Sequence, residues 1–395
     1  MKGGGECARP ARSRCPRLRV GIVCYPSQGG SGVVATELAY ELAQRGHLAH
    51  VISHQTPFRM ARAREVQSGI SFHQVEVPMY PLFQYPPYTD ALANKIAEVA
   101  RYEQLDLVHV HYAVPHALAA VVARAMLLPR RLPVVTTLHG TDVSQTGVEV
   151  GIRDAVTWSL RQSDAVTAVS EDLRVAAQAT FGLDRVRRIY NFIDPYVVRR
   201  RSSPGLRARV ARPDQVVLLH ASNFRPVKNV GDVVRIFECV AKERPAVLLM
   251  CGDGPEAGTA YKAARELGVE AQVHFLGVQE DIGAYLSVAD LFLLPSETES
   301  FGLAALEAMA CEVPVVCSDR GGLPEVVVEG ETGFLRPVGD IAGMATAALE
   351  ALTPERHAHL ARQARRLAVQ RFSSSRILPQ IESLYADVVA AGGCA

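Results

Sequence analysis

The stretch "LRVGIVCYPSQGGSGVVATELAYELAQRG", residues 18–46, decides the fold. Its opening "LRVGIVCY" is an apolar run of strand character. "SGVVATELAYELAQRG" has a helical pattern and closes at Gly46, in the position of a glycine C-cap. A glycine-rich turn lies between them. Gly30, Gly32 and Ala35 fit the spacing G-x-G-x-x-A, in which glycines let backbone approach a ligand and the helix N-terminus favours an anion. Ser31 can add a hydroxyl there. A dinucleotide enzyme also needs an acidic residue about 20 positions on, to hold the ribose. The chain there is "VISHQTPFR", with no Asp or Glu, which argues against a nicotinamide dehydrogenase. A bare tight turn is the plain alternative.

Working outward, "AHVISH", "FHQVEV", "LDLVHVH", "PVVTTLHG" and "DAVTAVS" continue as strands up to residue 190, separated mostly by helical segments such as 90–103 and 115–127. Continuous Val/Ile/Leu runs, rather than strict alternation, indicate a parallel sheet covered on both faces. The pattern restarts after "YNFIDPYVVRRRSSPG" with "QVVLLHAS", "AVLLMCG", "QVHFLG", "DLFLLPS", "PVVCSD" and "GFLRP". Two successive β/α series predict two doubly wound, Rossmann-like domains, with ligands in the crevice beyond the carboxyl ends of the strands. The expected organisation is a basic, disordered extension over 1–17, an N-terminal acceptor domain over 18–190 and a linker over 191–205. A C-terminal sugar-nucleotide domain follows over 206–372, then a helix over 373–395 placed to cross back to the N-terminal domain.

Composition bounds the partners. The 395 residues carry a formal net charge of +1, so no global field recruits nucleic acid or a membrane surface. Residues 1–19 concentrate six basic side chains against Glu6, without the apolar run of a secretory signal. No apolar run approaches the ~18 residues that a bilayer span needs. Eight scattered cysteines without a C-x-x-C pair are read as reduced thiols of a cytoplasmic protein. A homo-oligomer is compatible with all of this.

The chemistry-bearing residues fall at strand-to-helix junctions. In "HASNFRPVKNVGDVVRIF", Arg225 and Lys228 leave a strand and enter a helix. A guanidinium that bridges two oxygens and an ammonium acting as a point charge suit a diphosphate, and would neutralise a pyrophosphate leaving group. A solvated basic turn is the bland reading. "LMCGDGPE" supplies Gly252 and Gly254 as a second close-approach loop or a plain turn. "TTLHGTDVS" puts His139 directly after a strand, with Thr137 before it. "VHVHYAVPH" places His109 and His111 on one strand face and Tyr112 on the other; packed, hydrogen-bonded histidines are expected, not a metal site. In "SETESFGLAALEAMACEVPVV", Glu299 and Glu307 flank a Phe-Gly turn and the start of a helix near Gly302. Carboxylates beside a diphosphate need other donors, and vicinal sugar hydroxyls supply them. A glycosidase also uses two carboxylates, but has no need of a cationic cradle. The combination indicates a nucleotide sugar.

With these residues in view, the chain resembles the retaining GT-B glycosyltransferases with an E-x7-E signature. The run "SNFRPVKN", "GDGPE", "FLG", "PSETESFGLAALEAMACEVPVV", "GGLPEVV" and "GETGFL" carries the likeness over residues 205–340. The resemblance implies that Glu299 contacts donor-sugar hydroxyls, Glu307 the ribose, and Arg225 and Lys228 the diphosphate. It implies further donor contacts from Gly30, Asn223, Gly252, Phe301, Gly302 and Leu303, and catalytic roles for Lys228, Arg225, Glu299 and His139. Neither a metal nor a cofactor is implied. In the first half, "CYPSQGGSGVVATELAYELAQRGH", "PFRM", "FHQVEVPMYPLFQYPPYT", "HVHYAVPHA" and "SDAVTAVS" resemble the N-acetylglucosaminyl L-malate synthase family of bacillithiol biosynthesis. That likeness implies UDP-GlcNAc as donor, L-malate as acceptor, and Ser31, Tyr112, Thr137 and His139 on the acceptor side. Another acceptor, such as an inositol phosphate or a lipid-linked sugar, is the alternative. An epimerase or a non-catalytic binder is a more remote one, and a non-catalytic binder would be expected to lose Glu299, Glu307 or Lys228.

Overall fold

The computed structural model describes residues 16–27, 29–57, 60, 69–79, 85–145 and 149–391. Most of the basic extension expected over 1–17 lies outside them. The chain forms two compact units. One holds the described residues up to Val169, Leu173–Ile189, and those from Ile377 onward; the other holds Ser170–Asp172 and Tyr190–Arg376. Each is a parallel-sheet α/β domain.

The first unit contains β1 (Arg19–Val23), β2 (Leu48–Ser53), β3 (Ile70–Gln74), β4 (Leu107–His111), β5 (Val134–Leu138), β6 (Ala165–Ala168) and β7 (Arg187–Arg188). They form one sheet in the order β3-β2-β1-β4-β5-β6-β7. All its pairings are parallel. The inner strands are buried along nearly their whole length, because helices cover both faces and every side chain meets a neighbour. Val20, Ile22, Val108, Val110 and Val134 are fully enclosed. At the edges burial falls away: β3 is half-exposed and starts two residues before the expected "FHQVEV", and β7 is a two-residue strand whose arginines the apolar pattern could not announce. The helix after β1 spans Gly30–Gln44. Gly32 is required in its first turn, since a Cβ there would stand 2.5 Å from the Ser27 carbonyl oxygen. The helix predicted over 115–127 begins instead at Leu118, after a single wide turn at Ala113–Ala117.

The last helix, Ser374–Ala390, joins the first unit from Ile377 onward. Tyr385 is fully buried there, with its hydroxyl 2.7 Å from His109 Nδ1. Glu382 pairs with Arg45 at 2.8 Å and with His47 at 3.1 Å.

The second unit contains β8 (Val216–Ala221), β9 (Ala246–Cys251), β10 (Val273–Gly277), β11 (Leu291–Leu294), β12 (Val315–Ser318) and β13 (Gly333–Arg336), in the order β10-β9-β8-β11-β12-β13. Its core joins Leu218, Leu248, Met250, Leu291 and Leu293 to the apolar face of helix Val230–Glu243. Residues 191–205 pack within this unit: Ile193 N donates to the Phe372 carbonyl at 2.9 Å, and Arg365 donates to the carbonyls of Pro195 and Val198. Both sheets follow the doubly wound order, so each has one place where successive strands depart in opposite directions. These places lie between β1 and β4 and between β8 and β11, and they are where such sheets bind ligands.

Candidate active site

The second unit assembles its polar site on the two strands flanking its switch point. β8 leads into Arg225, which precedes the short 3-10 turn Pro226–Lys228, and β11 leads into the loop carrying Glu299. Two backbone-directed bonds tie these loops together: Glu297 N donates to the Val227 carbonyl at 2.8 Å, and Asn229 Nδ2 donates to the Pro295 carbonyl at 3.1 Å. The result is a direct ion pair, Lys228 Nζ to Glu299 Oε1 at 2.6 Å, with Ser296 Oγ donating to the same oxygen at 3.0 Å. Both charged side chains are more than four-fifths buried. The ammonium retains two further N–H donors and the carboxylate a second oxygen.

Glycines hold this geometry from behind. Gly321 has φ +61°, and a Cβ on it would stand 2.0 Å from the Glu299 carbonyl oxygen; Gly322 N donates to that oxygen at 2.8 Å. The Gly-Gly pair is therefore the floor under Glu299. Gly302, φ +90°, precedes helix Leu303–Ala310, in which Glu307 is buried. Phe301 turns its ring inward, against Tyr190 and Phe372. On the other side Gly252, φ +128°, leaves 1.8 Å between a would-be Cβ and the Ser222 carbonyl oxygen, so it packs directly against the loop of Asn223. Asn223 is exposed. Beneath that loop, buried His220 donates from Nδ1 to the Leu293 carbonyl (2.9 Å) and accepts at Nε2 from Ser222 Oγ (2.8 Å), and burial holds its pKa down to about 4.

The first unit gathers a second cluster at the ends of β4 and β5. Tyr112 sits at φ +89°, a strained conformation for a bulky residue, with its N–H donating to the Thr137 carbonyl at 3.0 Å. Its ring lies 5.5 Å from that of His139 and 5.7 Å from that of Tyr25. The Thr137 hydroxyl is engaged inward, with His109 Nε2 at 2.6 Å and Thr167 Oγ1 at 2.7 Å, which leaves its carbonyl as the group that meets Tyr112. Asp142 accepts from the backbone N–H groups of Gly140, His139 and Ala113, pinning the start of the loop. Burial pushes its carboxyl up to about 6, with those N–H bonds pulling the other way. Ser31 is buried in the first turn of its helix, and Gly30 faces open space, with nothing within 4 Å of where a Cβ would stand.

His139 Nε2 lies 2.9 Å from His111 Nδ1. His111 Nε2 is buried without a partner among the described residues. A proton on that atom would leave a buried N–H unsatisfied, which is costlier than a bare lone pair. The proton of His111 therefore belongs on Nδ1 and is donated to His139 Nε2. His139 then carries its own proton on Nδ1 and offers a donor there. Burial, aided by neighbouring His109 and His116, keeps His139 down to about 3, so it remains neutral at physiological pH.

Residues 206–367 match the family described as glycosyl transferases group 1, and residues 28–197 match glycosyltransferase family 4. The chain is 44% identical over 376 residues to the N-acetyl-alpha-D-glucosaminyl L-malate synthase of Bacillus anthracis, covering 94% of this chain and 98% of that protein. The chain belongs to this glycosyltransferase family. A more distant relative, the D-inositol 3-phosphate glycosyltransferase of Saccharomonospora viridis, is 29% identical over 92% of this chain and 90% of its own length. Among solved structures, Anabaena HepE in complex with UDP and glucose superposes with a TM-score of 0.79 at 22% identity, covering 94% of this chain and all of that one. Sucrose-phosphate synthase from Thermosynechococcus elongatus gives 0.77, also at 22% identity, over 95% of this chain and all of that one. These likenesses establish the GT-B fold of the glycosyltransferase. No described helix is long and apolar enough to cross a membrane.

Several supporting residues of this glycosyltransferase escape a reading of spacing alone. His111 and Asp142 touch His139, and Gly321 touches Glu299 from behind, while His220 holds Ser222 beside Asn223. Their sequence signals are a histidine on a buried strand, an acid three residues past His139, a histidine closing β8, and a Gly-Gly pair after β12.

Proposed function

We propose that this glycosyltransferase moves N-acetylglucosamine from UDP-GlcNAc to the hydroxyl of L-malate, with retention of the α-configuration. The observation that carries the reading is the contact between Lys228 and Glu299, which joins a phosphate-binding cation to a hydroxyl-binding acid at one switch point. The 44% identity to an enzyme named for that product supports the substrate pair.

In this reading Arg225 and Lys228 hold the diphosphate, with the amides of Phe301, Gly302 and Leu303 at the helix start. Glu299 takes donor-sugar hydroxyls and Glu307 the ribose. Asn223, Gly252 and Gly30 provide close backbone approach. As the glycosidic bond breaks, negative charge develops on the diphosphate, and fixed cations stabilise it without a metal ion or other cofactor. The malate hydroxyl attacks on the face the leaving group vacates, and its proton passes to the leaving phosphate oxygen. Ser31, Tyr112 and His139 orient the acceptor. His139, neutral and protonated on Nδ1, serves as a hydrogen-bond donor and not as a base. Thr137 fixes Tyr112 through its carbonyl. The five described cysteines are free, which fits a reducing cytoplasm.

The 29% identity to an inositol 3-phosphate enzyme makes that acceptor the second reading. Incubation with UDP-GlcNAc and either L-malate, inositol 3-phosphate or water, with UDP release measured, decides between them. Release that depends on malate is expected. Equal release in all three arms, or release with inositol phosphate alone, would refute the malate assignment.

A further inference from the structure

We propose that His50, His73 and Glu103 form a binding site for a divalent transition-metal cation of the zinc class, distinct from the residues assigned to the sugar nucleotide and acceptor. His50 Nδ1 and His73 Nε2 stand 3.1 Å apart, and His50 Nδ1 lies 4.0 Å from Glu103 Oε2. The three ligating atoms all fall within 4.8 Å of one another. Metal–nitrogen bonds of about 2.0–2.1 Å at a tetrahedral angle place two nitrogens about 3.3 Å apart, so the imidazoles already stand at coordination separation. Glu103 is half-exposed and closes the remaining gap by rotation of its side chain.

Three elements build this constellation. His73 is aligned with Ile52 across the β2–β3 pairing, two residues beyond His50, so both imidazoles project from the same sheet face. Glu103 caps the C-terminus of helix Tyr88–Tyr102. A hydrogen bond between the two imidazoles would satisfy one nitrogen of each and leave the carboxylate without a part. A metal ion uses all three.

The charged groups facing the two imidazoles are Glu103 and Glu98, with Arg19 and Lys95 as the neighbouring cations. Two imidazole nitrogens and one carboxylate, with a fourth position for water, match zinc and its first-row neighbours rather than calcium or magnesium, which prefer all-oxygen sites.

The site is also well placed to act on the fold. β3 is an edge strand that pairs with β2 alone, and a metal bridging β2, β3 and the helix would clip it in place. His50 is level with Gly21 and Val108 along the sheet, whereas Tyr112 lies four residues beyond Val108. At a rise of about 3.3 Å per residue, that sets the metal about 13 Å along the strands from the acceptor cluster.

The full-length chain, stripped of metal and titrated with Co²⁺, should bind one equivalent and develop the visible absorption of a low-coordinate ion. Zn²⁺ should displace it and raise Tm by a few degrees. Glu103→Gln and His73→Gln should each weaken Co²⁺ binding at least about tenfold, the lower bound seen even for groups that only support a ligand, and should abolish the Zn²⁺-dependent Tm shift. Glu103 is half-exposed, so its variant reports even if His73→Gln weakens the fold. Absence of Co²⁺ binding in the parent chain would overturn the site. So would an unchanged spectrum and Tm shift in both variants, because the metal would then sit elsewhere.

Discussion

Replacing His111 separates two accounts of its neighbour. Asparagine carries an amide near the position of the imidazole Nδ1, whereas glutamine reaches the position of Nε2. If His111 fixes the tautomer of His139, His111→Asn keeps most of the turnover. His111→Gln and His111→Ala then lower kcat by about tenfold, the scale of one buried hydrogen bond at about 1–1.5 kcal/mol. The measurement pairs kcat and KM with the ¹⁵N signature of His139, which should show the proton on Nδ1 in the parent chain and in His111→Asn. A proton on Nε2 in the parent chain would reverse the assignment. Little of this was legible beforehand. The alternation of "HVHY" put His109 and His111 on one face, and their rings do stack at 4.6 Å. Which nitrogen faces His139, twenty-eight residues away in the chain, is a matter of strand register and not of spacing.

At the scale of elements, glycines with positive φ and no room for a side chain should behave differently from glycines that only match a motif. Gly321→Ala forces a Cβ to within 2.0 Å of the Glu299 carbonyl oxygen, so the loop must shift. A cost of about 1–3 kcal/mol in stability is expected, together with a fall in kcat/KM for the donor, because Glu299 leaves Lys228. Gly30→Ala meets nothing and lies in ordinary helical backbone, so stability should hold to within about 0.5 kcal/mol. Its donor kcat/KM should still fall if a ligand occupies that space. Thermal melts with steady-state kinetics on both variants check the contrast. The strand succession was legible because inner parallel strands bury both faces and appear as unbroken apolar runs. β7 was not, because two exposed arginines form a strand only by extending a sheet already in place. The basic turn and the acidic pair were each visible as local motifs. Their ion pair was not: Lys228 and Glu299 are 71 residues apart, and only the neighbouring of β8 and β11 brings them together.

At the scale of the whole chain, the last helix returns to the first unit through a buried charge network. Leu18 N donates to His47 Nδ1, leaving the proton on Nε2 for Glu382; the Arg45 guanidinium meets the same carboxylate with two N–H groups. Burial alone would raise the pKa of Glu382, but the bonds from His47 and Arg45 outweigh it and hold the carboxyl at about 2, below its ordinary 4.5. A depressed carboxylate stabilises the fold when ionised. Its contribution is therefore complete above the ordinary value and is lost as pH falls through 4.5 towards 2. The Tm gap between the parent chain and Glu382→Gln should be constant above about pH 5 and shrink steadily below it. A gap independent of pH down to the acid transition would show that the carboxylate is not the stabilising partner.

The most direct test of the sugar-nucleotide site is calorimetric titration of UDP into the parent chain and into Arg225→Ala and Lys228→Ala. If both side chains hold the diphosphate as proposed, each variant loses a charge-assisted bond to phosphate, and UDP affinity should fall about 10–100-fold in both while Tm shows the second unit still folded. Unchanged UDP affinity in two folded variants would contradict the account.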